Sequence, residues 1–242
     1  MSAPLFLVDS VPAGGTFVLD GPEGHHAADV QRVRAGDRLL LGDGRGTRAF
    51  AEVVAVGRGR VDLTLDRVET LAAPDPRLVV VQGIPKGDRG ELAVQAMTEV
   101  GVDEIVPWAA ARSVTRWRAE RGDKARAKWV ATAREAAKQS RRAWLPQIGG
   151  DPDESTKLVA ERLRGAAAAY VLHEEADRRL SAVPLPATGD IVLVIGPEGG
   201  IDDRELAAFE AAVPVRLGAE VLRTSTAGAA TLAALSMRTR WQ

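Results

Sequence analysis

Two segments near the end of the sequence carry the residues best suited to hold a ligand. The first is Gly196-Pro197-Glu198-Gly199-Gly200, directly after the apolar run Ile191–Ile195. Glycine lets backbone approach a ligand closely and take positive φ. A loop at the carboxyl end of a strand is where open α/β sheets bind ligands. Asp202 and Glu205 follow at capping-box spacing, so the loop feeds a helix. No Lys-Ser or Lys-Thr pair follows, and Glu198 would repel phosphate, which excludes a phosphate loop. A cationic or hydroxyl-bearing ligand suits Glu198 better. The same residues also make a tight strand-to-helix turn, and the pattern leaves ligand loop and plain turn both open. The second segment, Leu217–Ala227, joins a further strand to the last helix. Thr224, Ser225 and Thr226 are each suited to cap that helix. Arg223 stands just before it, placed to orient a substrate or to pair with Glu220 or a carbonyl.

Strands and helices must alternate to place both loops at one sheet edge. Beyond Ala72-Ala73-Pro74-Asp75-Pro76 they do. Strands are expected at Leu78–Gln82, Glu104–Trp108, Ala168–Leu172, Ile191–Ile195 and Val213–Leu217, with helices at Gly90–Val100, Ala125–Ser140 and Ser155–Leu163. Further helices lie between the last two strands and at the chain end. This alternation is that of a parallel sheet covered on both faces, and strands such as Ile191–Ile195 lack polar alternation, as burial on both faces requires. Gly228–Met237 is nearly free of charge, so it must be buried all round, in the interior or at a subunit interface. The first seventy residues differ: five short strand-like runs, one helix over Glu23–Val33, and Asp43-Gly44 as a hairpin turn. They read as a small barrel. The two prolines of the 72–76 stretch set the boundary between a domain at 1–72 and one at 73–242.

Composition narrows the classes. The 242 residues contain no cysteine and three histidines, which excludes disulfides and makes a structural zinc site unexpected. No run approaches the roughly 18 apolar residues of a membrane span, and Met1–Asp9 has no basic export signal, so a cytoplasmic location is expected. Net charge is −1, against a globally basic nucleic-acid binder, yet Arg112–Arg142 holds eleven Lys or Arg and three acids. Such a run is either a solvated helix face or a surface for phosphates. Trp108, Trp117, Trp129 and Trp144 lie within or beside it, suited to core packing or to stacking on unpaired bases.

Taken together, the motifs resemble those of the SPOUT methyltransferases, and more narrowly the family of ribosomal RNA small subunit methyltransferase E. The resemblance spans nearly the whole chain: His26 with Val30-Gln31-Arg32-Val33-Arg34, Lys86-Gly87-Asp88-Arg89, Thr98-Glu99-Val100-Gly101, Glu135–Ser140, Leu172-His173-Glu174, Ile195–Gly200 and Leu222-Arg223-Thr224. It implies an α/β fold, with a small N-terminal PUA-like β-barrel that binds RNA and a C-terminal methyltransferase domain tied in a trefoil knot. It implies a homodimer acting on 16S rRNA of the small ribosomal subunit, transferring methyl from S-adenosyl-L-methionine to N3 of a uridine. No metal is needed, because the methyl group is already electrophilic. The cofactor would lie against three loops, with Leu172, His173, Gly196, Gly199, Gly200, Leu217, Gly218, Leu222, Thr224 and Ala227 around it. Arg223 would stabilise negative charge on the deprotonated uracil, with Glu198 as base or substrate-positioning group. Arg32, Arg34, Lys86, Arg89, Arg112 and Arg142 would bind RNA, the last four from the methyltransferase domain. Ser225 departs from the glutamate often found there in the family. Other readings are a SPOUT enzyme acting on another RNA, or a non-catalytic RNA-binding assembly factor.

Overall fold

The computed structural model describes residues 3–150 and 153–241. They form two compact units, one of residues up to Ala73 with Ala137–Leu145, the other of Pro74–Ala136 with the chain from Pro146 on.

In the first unit, β1 (Leu5–Leu7), β2 (Gly15–Leu19), β3 (Arg38–Gly42), β4 (Thr47–Gly57) and β5 (Arg60–Thr70) make one sheet in the order β1-β3-β4-β5-β2. Alternate residues point to one core: Leu39 and Leu41, then Ala49, Ala51 and Val53, then Val61, Leu63 and Leu65, with Phe6 and Leu19. Period-two burial of this kind is the mark of a sheet with one packed face. Irregular register at Phe50/Ala51 and Val53/Ala55 bends the long β4–β5 ribbon. The Gly42–Gly46 stretch is turn chemistry. The Asp43 carboxylate accepts the N–H groups of Arg45 and Thr47 at 2.7 and 3.0 Å, and Gly44 has φ +69°.

Two features differ from expectation. The helix expected over Glu23–Val33 is α1 (Gly21–His25) continued by a π-helical turn over His26–Val30, and it stops there because Arg32 takes φ 55°. The stretch Ala137–Leu145 also belongs here, although the proline boundary assigned it to the second domain. Leu5, Leu7 and Leu40 leave an apolar patch on the sheet's other face, and Leu145 packs on it. Backbone bonds Gly46 N–H to Ala143 O and Leu145 N–H to Gly44 O hold the returning chain. Arg142 is therefore part of the first unit rather than of the second.

The second unit is a six-stranded parallel sheet. Its strands are β6 (Arg77–Gly83), β7 (Glu104–Trp108), β8 (Gln147–Ile148), β9 (Ala168–Leu172), β10 (Asp190–Ile195) and β11 (Val213–Val215), in the order β11-β9-β10-β6-β7-β8. Its helices are α2 (Arg89–Val100), α3 (Ala119–Gln139, whose last turn joins the first unit), α4 (Thr156–Gly165), α5 (Asp203–Ala208) and α6 (Thr224–Thr239). On one face Leu78, Val80, Leu193 and Ile195 pack with Val94 and Met97 of α2, Trp129 of α3 and Leu232 and Leu235 of α6. On the other Val79, Val81, Val192 and Val194 pack with Val159 and Leu163 of α4 and with Phe209. No helix among the described residues is long and apolar enough to cross a membrane.

The tryptophans are decided by this packing. Trp108, Trp117 and Trp129 are buried, which removes them as stacking platforms for bases, and Trp144 donates its indole N–H to Leu71 O. Gly90 of α2 lies against Trp129: a Cβ there would come 2.8 Å from the indole Nε1 and Cζ2. Helix propensity alone favours alanine over glycine by about 1 kcal/mol, but overpacking a rigid buried ring costs about 1–3 kcal/mol. Gly90→Ala is expected to lower stability by a net of up to about 2 kcal/mol, read as a lower urea midpoint with unchanged slope. A raised midpoint would mean that Trp129 yields freely.

Helix α6 was expected to be buried on every side. In the single chain Ala227, Gly228, Thr231, Leu232, Leu235 and Ser236 are buried, while Thr226, Ala230 and Met237 stay exposed along one stripe. Its far end is clamped: the Arg240 guanidinium donates to Gly101 O at 2.9 Å, to Pro76 O and to the Asp103 carboxylate.

Candidate functional site

The carboxyl ends of β9, β10 and β11 open on a cavity of about 590 Å³. This lies within the roughly 300–1,000 Å³ usual for small-molecule sites.

The glycine loop follows β10. Gly200 N–H bonds to Pro197 O at 2.9 Å and Gly200 has φ +74°, a conformation that disfavours any side chain. Asp202 caps α5, receiving Glu205 N–H at 2.8 Å, and Glu205 reciprocates on Asp202 N–H at 3.2 Å. Glu205 does more than cap. It is buried, and its other oxygen accepts Ala111 N–H at 2.7 Å and the Thr156 hydroxyl at 3.3 Å. The carboxylate thereby fastens the loop after β7 beneath the glycine loop.

Glu198 is already engaged. It accepts Lys86 N–H at 3.2 Å and the Arg89 guanidinium at 3.1 Å. Arg112 donates to Gly199 O at 3.2 Å. Thus two of the arginines read as RNA ligands brace the loop.

The other walls come from the chain after β9 and β11. His173 N–H bonds to Val215 O at 3.0 Å, and its ring Nδ1 accepts Glu175 N–H at 3.2 Å, so the side chain folds into its own turn. None of Thr224, Ser225 and Thr226 caps α6. The N-cap is Arg223, without a side-chain cap bond, because the Thr224 hydroxyl is turned inward to donate to Gly196 O at 3.0 Å. Ser225 is buried in the first turn.

All ten residues expected around a cofactor, from Leu172 to Ala227, line this cavity, and so do Arg223, Glu198, Arg89 and Arg112. Arg223 is exposed at the mouth, and among the described residues its guanidinium makes neither an ion pair with Glu220 nor a bond to a carbonyl. Lys86 stands outside the cavity lining, with its backbone on Glu198, and Arg32, Arg34 and Arg142 lie in the other unit. Arg216, Glu174 and Glu220 also line the cavity, with Gln82 behind it, although none of the four is assigned to the ligand site from sequence. Gln82 left one signal: an amide closing an otherwise apolar strand. Among the described residues no three acidic or histidine side chains gather to hold a metal ion.

Comparison with known proteins bears on this arrangement. Residues 73–236 match the RNA methyltransferase domain family, and residues 19–66 match the RNA methyltransferase PUA domain. Ribosomal RNA small subunit methyltransferase E of Mycobacterium tuberculosis is 45% identical, with 100% of this chain and 94% of that protein covered. The Bacillus subtilis protein of the same name is 30% identical over 93% of this chain and 91% of its own length. Among solved structures, ribosomal RNA small subunit methyltransferase E from Neisseria gonorrhoeae, bound to S-adenosyl methionine, superposes with a TM-score of 0.84 at 27% identity, covering 98% of both chains. A putative methyltransferase of Legionella pneumophila, in complex with the same cofactor, gives 0.86 at 25% identity over 99% of both. With full-length relatives and both domains matched, the chain belongs to the ribosomal RNA small subunit methyltransferase E family of RNA methyltransferases.

Proposed function

We propose that this protein transfers a methyl group from S-adenosyl-L-methionine to N3 of a uridine in 16S rRNA of the small ribosomal subunit. The observation that carries it is the cavity itself: relatives sharing this fold hold that cofactor, and the residues present here fit it. Leu172, Leu217, Leu222 and Ala227 offer apolar walls to an adenine ring, and the side-chain-free backbone of Gly196, Gly199 and Gly200 offers edges for hydrogen bonding. Glu174 and Glu220 offer carboxylates to the ligand's sulfonium and ammonium, and Arg216 and Arg223 on the same lining offer cations to its carboxylate. When bound, the cofactor supplies an electrophilic methyl group.

The chain's own task is alignment and charge. Holding the uridine against the methyl group removes most of the orientational cost, and reaction at N3 requires the base to be unpaired or flipped out. Uracil N3 first loses its proton to solvent, the negative charge left on the ring is met by Arg223, and that charge is spent when N3 takes the methyl group as its bond to sulfur breaks, leaving a neutral thioether. Glu198 serves to brace the glycine loop rather than as the base, supported by the N–H and guanidinium it already receives. Arg32, Arg34, Lys86 and Arg142 serve RNA binding, with Arg89 and Arg112 at the cavity rim. The first unit, residues 1–72 with the returning stretch, is the RNA-binding domain, and the rest of 73–242 is the catalytic domain with its trefoil knot. A second copy of the chain covers the exposed stripe of α6, giving a cytoplasmic homodimer.

Mass spectrometry of 16S rRNA from a strain lacking this protein tests the proposal. The 3-methyluridine signal is expected to vanish and to return with the wild-type gene. An unchanged signal refutes the assignment, and loss from another RNA instead would move the substrate.

A further inference from the structure

A buried relay joins the two halves of the pocket from behind. Gln82, the next-to-last residue of β6, has no exposed surface, and Leu78–Val81 before it are all apolar. Burying an amide is costly unless its hydrogen bonds are made. Gln82 Nε2 donates to Thr224 Oγ1 at 2.8 Å and to Gly83 O at 3.1 Å. The Thr224 hydroxyl in turn donates to Gly196 O at 3.0 Å. Gly196 opens the glycine loop, and Thr224 opens α6 one residue after Arg223.

The polarity of this chain is forced. A hydroxyl has one hydrogen, and Thr224 spends it on Gly196 O, so Thr224 must accept from Gln82. Gly83 O is acceptor-only, so the amide must turn its NH₂ to both. That leaves Gln82 Oε1 buried and without a hydrogen-bond partner, an arrangement that costs about 1–3 kcal/mol. A leucine in this place would avoid the cost. What the amide provides instead is a link between the ends of β6 and β10 and the start of α6.

We propose that Gln82 is a positioning residue: through Thr224 it sets the gap between the glycine loop and the start of α6, and so the affinity for S-adenosylmethionine, while methyl transfer itself is left to the groups at the mouth. This rests on the cofactor reading above. It concerns ground-state binding, so the expected signature is a raised KM for the cofactor with kcat nearly kept.

Calorimetric titration with S-adenosylmethionine tests it on four proteins: wild type, Gln82→Leu, Thr224→Val and the double variant. Each single change is expected to weaken binding about tenfold, the scale of one buried hydrogen bond. The double variant should lose no more than either single, because both break the same relay. Thr224→Ser keeps the hydroxyl and should bind within about threefold of wild type. In turnover assays Gln82→Leu should raise KM for the cofactor about tenfold and hold kcat within about threefold. Losses that multiply in the double variant, wild-type binding by Gln82→Leu, or a fall in kcat at unchanged KM would each overturn the proposal. If Gln82→Leu does not fold, the valine and serine variants of Thr224 decide it alone: equal affinities overturn it. Absence of binding by the wild type would refute the cofactor reading instead.

Discussion

Arg223→Ala is expected to lower kcat for methyl transfer by about 10²–10³, the usual loss when one group that stabilises developing charge is removed. Cofactor affinity should stay within about threefold. The state of the guanidinium decides this. Arg89 is held by Glu198 and Arg112 by Gly199 O, so neither is at liberty to meet new negative charge without giving up a bond. Arg223 lines the same cavity, exposed, with no such engagement among the described residues. Its backbone is fixed because it is the N-cap of α6, and Thr226 and Ala227 N–H groups both bond to Arg223 O at 2.9 Å. Removing the side chain therefore leaves the helix start and the apolar walls in place. Arg223→Lys should recover only part of the rate, since an ammonium carries the charge without the planar fork. Single-turnover kinetics with titrated cofactor separates the outcomes. An equal loss of binding and rate would make Arg223 a pocket wall rather than a catalytic group.

Gly83→Ala should be the more damaging change to the pocket, although it adds a single methyl group outside it. A Cβ on Gly83 would sit 2.7 Å from both N and Cδ of Pro197 and 3.1 Å from the carbonyl carbon of Gly196. Those are main-chain and ring atoms, with no flexible side chain to swing away. Gly83 ends β6 and is held by its pairing with Trp108 of β7. The glycine loop must move, and with it Gly196 O, which Thr224 holds. Cofactor affinity is expected to fall at least ~10-fold. Stability should drop by about 1–3 kcal/mol, a shift of several degrees in Tm for a unit of this size. Gly165→Ala is the matched control, for nothing lies within 4 Å of its Cβ position and its φ is ordinary. If Gly83→Ala binds and melts like wild type, the contact between β6 and the glycine loop is looser than these distances state.

Much of this was legible in the chain itself. Ile191–Ile195 reads as a strand covered on both faces because no polar residue interrupts it, and it lies between β9 and β6 in the middle of the sheet. The Asp202–Glu205 capping box and the Asp43 turn are also read directly, since donor and acceptor stand two to four residues apart. The position of the two loops followed too, because a parallel sheet brings the carboxyl ends of its strands to one edge.

What remained hidden depends on partners far apart in sequence. Glu198 looks like a carboxylate available for chemistry until Arg89, 109 positions away, is found on it. Thr224 looks like an N-cap until Gln82, 142 positions away, donates to it and turns its hydroxyl inward. The prolines at 74 and 76 mark a change of pattern, but nothing local shows that Ala137–Leu145 returns to cover Leu5, Leu7 and Leu40. The glycine loop shows the same division. That Gly196–Gly200 is a loop at a strand end is set by its own residues, through φ, capping and the apolar run before it. That it forms one wall of a braced cavity is set by Gln82, Arg89, Arg112 and Glu205, which reach it only once the sheet has formed. A hydrogen bond needs its two atoms within about 3 Å, and for these pairs only the folded chain brings them there.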